Sequence, residues 1–186
     1  MSTNRRQRGT ALVTSLLLLL VLTVIGITAM QVTRMEERMA GNTRDLNMAF
    51  QGAEAALRNG EDMIAAQPFA PNPAGGVCAA APCKFWDANA SDVANPESRD
   101  DAWWQGAAPT QYEASGDHSG TPTEDMPDLA HDPAFVVEYI TEVPDTVSIG
   151  SGDGPPSSRF FYQVTAASPG ATGNAITVLQ STYARR

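Results

Sequence analysis

The residues best suited to chemistry are two cysteines, an acidic block and two histidines. Cys78 and Cys83 bracket the tetrapeptide AAAP. As zinc ligands they lack the C-x₂-C spacing, and only His118 and His131 are left to complete a site. From Asp100 to Asp153 there are twelve Asp or Glu residues and no Lys or Arg. A hard cation such as calcium suits Asp clusters in Gly-rich loops, which would draw on Asp117, Asp125, Asp128 and Asp132, or on Asp145 with Asp153. The spacing is not that of an EF-hand, and a solvated acidic surface is the ordinary reading. His118 follows Asp117 in a Gly/Ser loop, a solvated turn rather than a base with its orienter. With no Gly-rich phosphate loop, no G-x-S-x-G and no HExxH, the sequence predicts no enzyme, no cofactor and no metal.

What positions these residues begins at the N-terminus. Residues 5–32 read RRQRGTALVTSLLLLLVLTVIGITAMQV, and the next charge is Arg34. The 24 uncharged residues Thr10 to Thr33 span roughly 36 Å as a helix, enough to cross a bilayer core. Thr10, Thr14, Ser15, Thr23, Thr28 and Thr33 carry hydroxyls that can bond back to the preceding turn, so they are cheap in lipid. Arg5, Arg6 and Arg8 precede the run and predict a cytoplasmic N-terminus, with everything after Arg34 outside. An ordinary signal peptide has a shorter apolar core and a small-residue cleavage box, and IGITAMQV matches that box poorly. A plain signal anchor fits the hydropathy equally well. Gly9, standing directly before the apolar run, separates the readings, because cleavage after it leaves the whole spanning helix on the mature chain.

The helical pattern continues past the apolar run. Met35, Met39, Leu46, Ala49, Phe50, Ala53, Leu57 and Ile64 recur in steps of three, four and seven, which predicts one apolar face. Glu54 precedes Arg58 by four residues in the favourable orientation. Gly41, Gly52 and Gly60 each weaken a helix by up to about 1 kcal/mol relative to Ala, so the stripe must pack on its own globular domain, on neighbouring subunits, or on both. Pro68, Pro71 and Pro73 end the helix near Ala66.

A basic leader, a glycine and a long helix, apolar then amphipathic, form the signature of a type IV pilin precursor. The segment RMAGNTRDLNMAFQGAEAALRNGE resembles the N-terminal block of the PilX family of type IV pilus assembly proteins. The segment YQVTAASPGATGNAITVLQSTYARR is similar to the terminal hairpin of that family. The likeness covers residues 5–62 and about 162–186, while DAWW and HDPAFVVEYI match more loosely. The resemblance implies processing by a prepilin peptidase between Gly9 and Thr10, with N-methylation of Thr10. It also implies assembly with other minor pilins, with the major pilin and with a PilY-type tip adhesin. Two departures from the wider pilin pattern stand out: the mature chain would begin with Thr10 rather than an aromatic or Met, and Thr14 occupies the place of the usual glutamate. Both weigh against a shaft-building subunit and favour a minor pilin that resembles the K-type pseudopilin of type II secretion, and Thr14 suits a priming subunit at or near the filament tip.

The formal charge is −9, and removing the three leader arginines takes it to −12. Such a surface does not favour nucleic acid. Once outside the cell membrane, Cys78 and Cys83 are expected to be oxidised to each other, a bridge whose short loop pins a local turn more than it stabilises the fold. Residues 67–130 are rich in Ala, Pro, Gly, Asn and Asp and read as a long ordered loop, anchored by Phe85, Trp86, Trp103 and Trp104. Strand signals follow at Phe135–Val143, Phe160–Thr165 and Ala175–Tyr183, separated by the turns GSGDGPPSS and SPGATGN.

The predicted fold class is α+β and type IV pilin-like, a long N-terminal helix packed on a small antiparallel sheet. The expected divisions are a leader at residues 1–9, a transmembrane half at 10–33, an amphipathic half at 34–66, a loop-rich region at 67–134 and a sheet region at 135–186. The expected location is the inner membrane as a single-pass protein with a periplasmic domain, and after assembly the pilus. Two other functions stay open on sequence alone: a K-type pseudopilin of type II secretion, and a single-pass periplasmic receptor whose acidic loops hold a ligand.

Overall fold

The computed structural model describes residues 8–72, 76–80, 83–114, 126–145 and 158–186. Asp117, His118, Asp125, Asp153 and residues 150–157 of the turn GSGDGPPSS lie outside the described residues, as does the leader up to Gln7. By contacts the chain divides into two compact units, residues 1–43 and 44–186.

Helix α1, Arg8–Ala66, runs through both units for 59 residues. It ends ahead of Pro68, whose ring and missing N–H stop further helical bonding. In the first unit the large apolar side chains of α1 from Leu12 to Val32 are 50% to 68% exposed. The helix is long and apolar enough to cross a membrane by length and composition.

In the second unit α1 lies against a sheet. Its strands are β1 (Phe85–Asp87), β2 (Thr110–Gln111), β3 (Ala134–Pro144), β4 (Ser158–Pro169) and β5 (Ile176–Arg185). The three long strands form the expected antiparallel meander, with a register shift between Tyr139 and Thr141. Strand β1 adds in parallel to β3, so the sheet is mixed, in the order β1-β3-β4-β5, with β2 also on β3. Both extra strands come from the segment read as a loop. They are too short, at three residues and two, to show an alternating pattern. The same segment holds two 3₁₀ turns and a short helix α2, Asp101–Trp104, capped by the Asp100 carboxylate accepting from the Trp103 N–H.

Because side chains alternate across a strand, the sheet has two cores. On the helix side, Ala56, Met63 and Ile64 of α1 meet Phe85, Phe135, Val137, Tyr162, Val164 and Ala166. On the other side, Trp86, Ala90, Val93 and Trp104 cover Ala134, Val136 and Ala167. Phe85 and Trp86 are neighbours on β1 and so serve opposite cores. Of the four expected aromatic anchors, Phe85, Trp86 and Trp104 are buried. Trp103 is part-exposed, edge-on to Trp104 with centroids 4.9 Å apart, and carries the Arg99 guanidinium over its ring.

Candidate functional site

Most of the residues singled out in the sequence lie along α1. Gly9 and Thr10 stand in its first turns. The Thr14 hydroxyl bonds to the carbonyls of Thr10 and Ala11, each at 3.0 Å. Ser15, Thr23, Thr28 and Thr33 likewise return their hydroxyls to the helix, to Leu12, Leu20, Val24 with Ile25, and Ala29. Each of these five hydroxyls is thereby satisfied within its own backbone, as suits a helix surrounded by hydrocarbon.

The expected single stripe on the second half of α1 divides in two. The face turned to the sheet is made of small residues: Ala49, Ala53 and Ala56 are fully buried. A Cβ on Gly60 would stand 2.7 Å from Val164 and 2.9 Å from Phe135, and one on Gly52 would collide with Ser168. Close approach of helix to sheet thus demands glycine at both places, whereas Gly41 and Gly26 face open space. The larger apolar residues lie to one flank: Met35, Met39, Leu46 and Phe50 are 48% to 63% exposed. Among the described residues, none buries Leu46 or Phe50.

Polar contacts fix the domain on the helix. The Asp45 carboxylate accepts from the Thr172 N–H (3.0 Å) and hydroxyl (2.6 Å) in the β4–β5 turn, and these bonds hold its pKa below the usual carboxylate value. Ser181 on β5 donates to Glu61 at 2.7 Å. At the helix end, where the last carbonyls have no intrahelical partner, the Arg185 guanidinium donates to Ile64 and Gln67. The Tyr162 hydroxyl donates to the Pro71 carbonyl at 2.6 Å, and burial pushes its phenol up to about 12, so it stays a donor.

Cys78 and Cys83 are joined by a disulfide with Cα atoms 6.1 Å apart. The bridged loop does more than pin a turn: the Cys78 N–H donates to Phe85 and its carbonyl accepts from Asp87, both at 3.0 Å, holding Cys78 along the outer side of β1.

The acidic candidates are spoken for differently. The Asp132 carboxylate accepts from the Met126 N–H at 2.9 Å, and Asp145 pairs with Arg159 and Arg186. His131 Nε2 lies 2.8 Å from the Asp101 carboxylate. Among the described residues no three acidic, His or Cys side chains gather as a metal would require.

Sequence reasoning missed Asp45 and Glu138. Asp45 shares the face of Ala49 and Gly52 and so was findable from helical spacing. Glu138 occupies a buried β3 position beside Val137, facing the loop-side core with Val136. Burial, with a smaller push from Glu97, raises its carboxyl to about 7.

Two family matches cover the chain. Residues 8–58 match the PilX N-terminal family, and residues 50–185 match the type IV pilus assembly protein PilX C-term family. The chain belongs to the PilX family. Searches of curated proteins and of solved structures found no match. Family membership makes this a type IV pilus assembly protein, and the α+β arrangement of long helix and small sheet is pilin-like.

Proposed function

We propose that this PilX-family chain is a minor pilin that is cleaved after Gly9, carries an N-methylated Thr10 and helps prime the pilus from a place at or near its tip. It acts by assembling rather than by catalysis. The chain is held in the inner membrane by residues 10–33, with its N-terminus cytoplasmic and its domain periplasmic, until the filament takes it up. Its partners in this reading are the prepilin peptidase, other minor pilins, the major pilin and a PilY-type tip adhesin.

The observation that carries the tip position is the Thr14 hydroxyl, satisfied by the carbonyls of Thr10 and Ala11. A glutamate at this place would need a cation from the subunit ahead, since a lone carboxylate in the membrane costs about 2.5–3.5 kcal/mol or takes up a proton. Thr14 makes no such demand on a subunit ahead. The Thr10 ammonium freed by cleavage still offers a partner to the subunit behind. That asymmetry suits the leading end of a growing filament. Exposed Leu46 and Phe50 supply the second half of α1 with a surface for neighbouring helices.

Immunogold labelling of sheared pili with antibody to the 158–186 region tests the position. Label at filament ends, in trace amount, is the expected result. Uniform decoration along the shaft would overturn it.

A further inference from the structure

The sheet has two edges, and they are finished differently. At the β1 edge Cys78, tied to Cys83, lies along the outer side of the strand. At the other edge β5 pairs with β4 through ten consecutive residues without a register break, and no described strand pairs with its far side. Its sequence, ITVLQSTYAR, has no proline, no lysine and no acid, the devices that commonly close an exposed edge. Gly170 donates its N–H to Ala175 at 2.7 Å in the hairpin. The alternation of an antiparallel ladder then commits the odd residues of β5 to β4 and turns the N–H and C=O groups of Val178, Gln180 and Thr182 to the open side.

We propose that the outer edge of β5 is a strand-addition site that accepts an extended segment, low in charge and rich in β-branched residues, from a different chain of the pilus assembly apparatus. Main-chain hydrogen bonds would supply the affinity and flanking side chains the selectivity. The chemistry of the segment follows from its neighbours. The side chains alongside are Val178, Leu179, Gln180, Ser181 and Thr182, which reward β-branched and uncharged partners across the strands. The arginines at the strand's end are already engaged, Arg185 with the carbonyls ending α1 and Arg186 with Asp145.

A second copy of this chain does not fit the edge. Strand β5 runs in the same direction as the second half of α1, since Asp45 meets Thr172 near its start and Ile64 meets Arg185 near its end. An isologous antiparallel pair of β5 strands would therefore run the two helices in opposite directions, and both chains could not enter one membrane. A head-to-tail pair would need the β1 edge, which Cys78 occupies. This exclusion rests on the membrane-anchored pilin reading proposed above.

Thr182→Pro tests the proposal in the full chain, expressed in a piliated host lacking its own copy. Proline there removes an outward N–H but no bond to β4, and edge strands tolerate it. The variant should keep a melting temperature within about 4 °C of the parent, yet lower the restored surface piliation at least tenfold, while Thr182→Val restores it fully. If Thr182→Pro melts early, Thr182→Lys replaces it, adding an edge charge without a backbone lesion, with the same loss expected. A benzophenone amino acid at position 180 reports the occupant: on irradiation of intact piliated cells it should give an adduct with another pilus assembly polypeptide, lost when Thr182→Pro is added. Parental piliation from either folded variant would overturn the proposal, and an adduct between two copies of this chain would overturn the choice of occupant. Failure of the parent chain itself to restore pili would instead sink the minor-pilin reading.

Discussion

The two faces of the sheet are covered by opposite strategies. On the helix side a regular element approaches closely because its contacting residues are Ala49, Gly52, Ala53, Ala56 and Gly60, and hydrogen bonds accepted by Asp45, Glu61 and the C-terminal end of α1 set the register. On the other side an irregular segment has no repeating small surface to offer. It fills the space with Trp86, Trp104 and Val93 and relies on the Cys78–Cys83 bridge to keep β1 in place. Regular backbone brings its surface by periodicity; irregular backbone must bring it by volume. The irregular cover also buries Glu138, whose carboxyl is raised to about 7, whereas on the helix side Asp45 and Glu61 accept hydrogen bonds from Thr172 and Ser181.

The largest effect should come from the loop side. Trp104→Ala removes a fully buried ring and should destabilise the protein by about 3–5 kcal/mol. Thermal melting of the detergent-solubilised chain reads this, and a loss under 1 kcal/mol would show that the tryptophan is not holding that face. On the helix side, Gly60→Leu forces a side chain against Val164 and Phe135 and should cost about 1–3 kcal/mol. Were it neutral, the helix would not be held as close as the glycines imply.

These two faces also differ in how much of them could be read in the residues. The helix carries period 3.6 over a long stretch, and the three long strands are rich in Val, Ile, Thr, Phe and Tyr between Gly/Pro turns, so these elements could be read from the residues. The loop-side cover has no period: β1 pairs in parallel across a long sequence separation, and nothing local announces that. The aromatic residues were the legible part, because rings of that size are seldom left in water. The division of the α1 stripe was hidden for a different reason. Apolar spacing marks a face but not which flank of it a particular sheet will take. The small residues mark the contact better than the large ones do.

Glu138 sharpens the contrast through pH. Its folded-state pKa, about 7, lies above the ordinary carboxylate value, so the folded protein favours the neutral acid. Stability should therefore fall as pH rises from about 4.5 through 7. Glu138→Gln should remove that penalty, raising stability at pH 8 by about 1–2 kcal/mol after allowance for solvent screening, with little change at pH 4. Paired denaturation curves at the two pH values check it, and an equal shift at both would remove the charge explanation.

The smallest effect on stability is expected from the exposed flank of α1. Leu46→Ser with Phe50→Ser should change stability by no more than about 0.5 kcal/mol for each site, because both side chains face outward. Pilus assembly should nonetheless suffer. A double variant that assembles normally would show that this flank meets no other subunit.

Mass spectrometry of this chain recovered from sheared pili should show a mature protein that begins at Thr10, carries a methyl group on its amine and lacks residues 1–9. Recovery from the filament with Met1 to Gly9 still attached would contradict it.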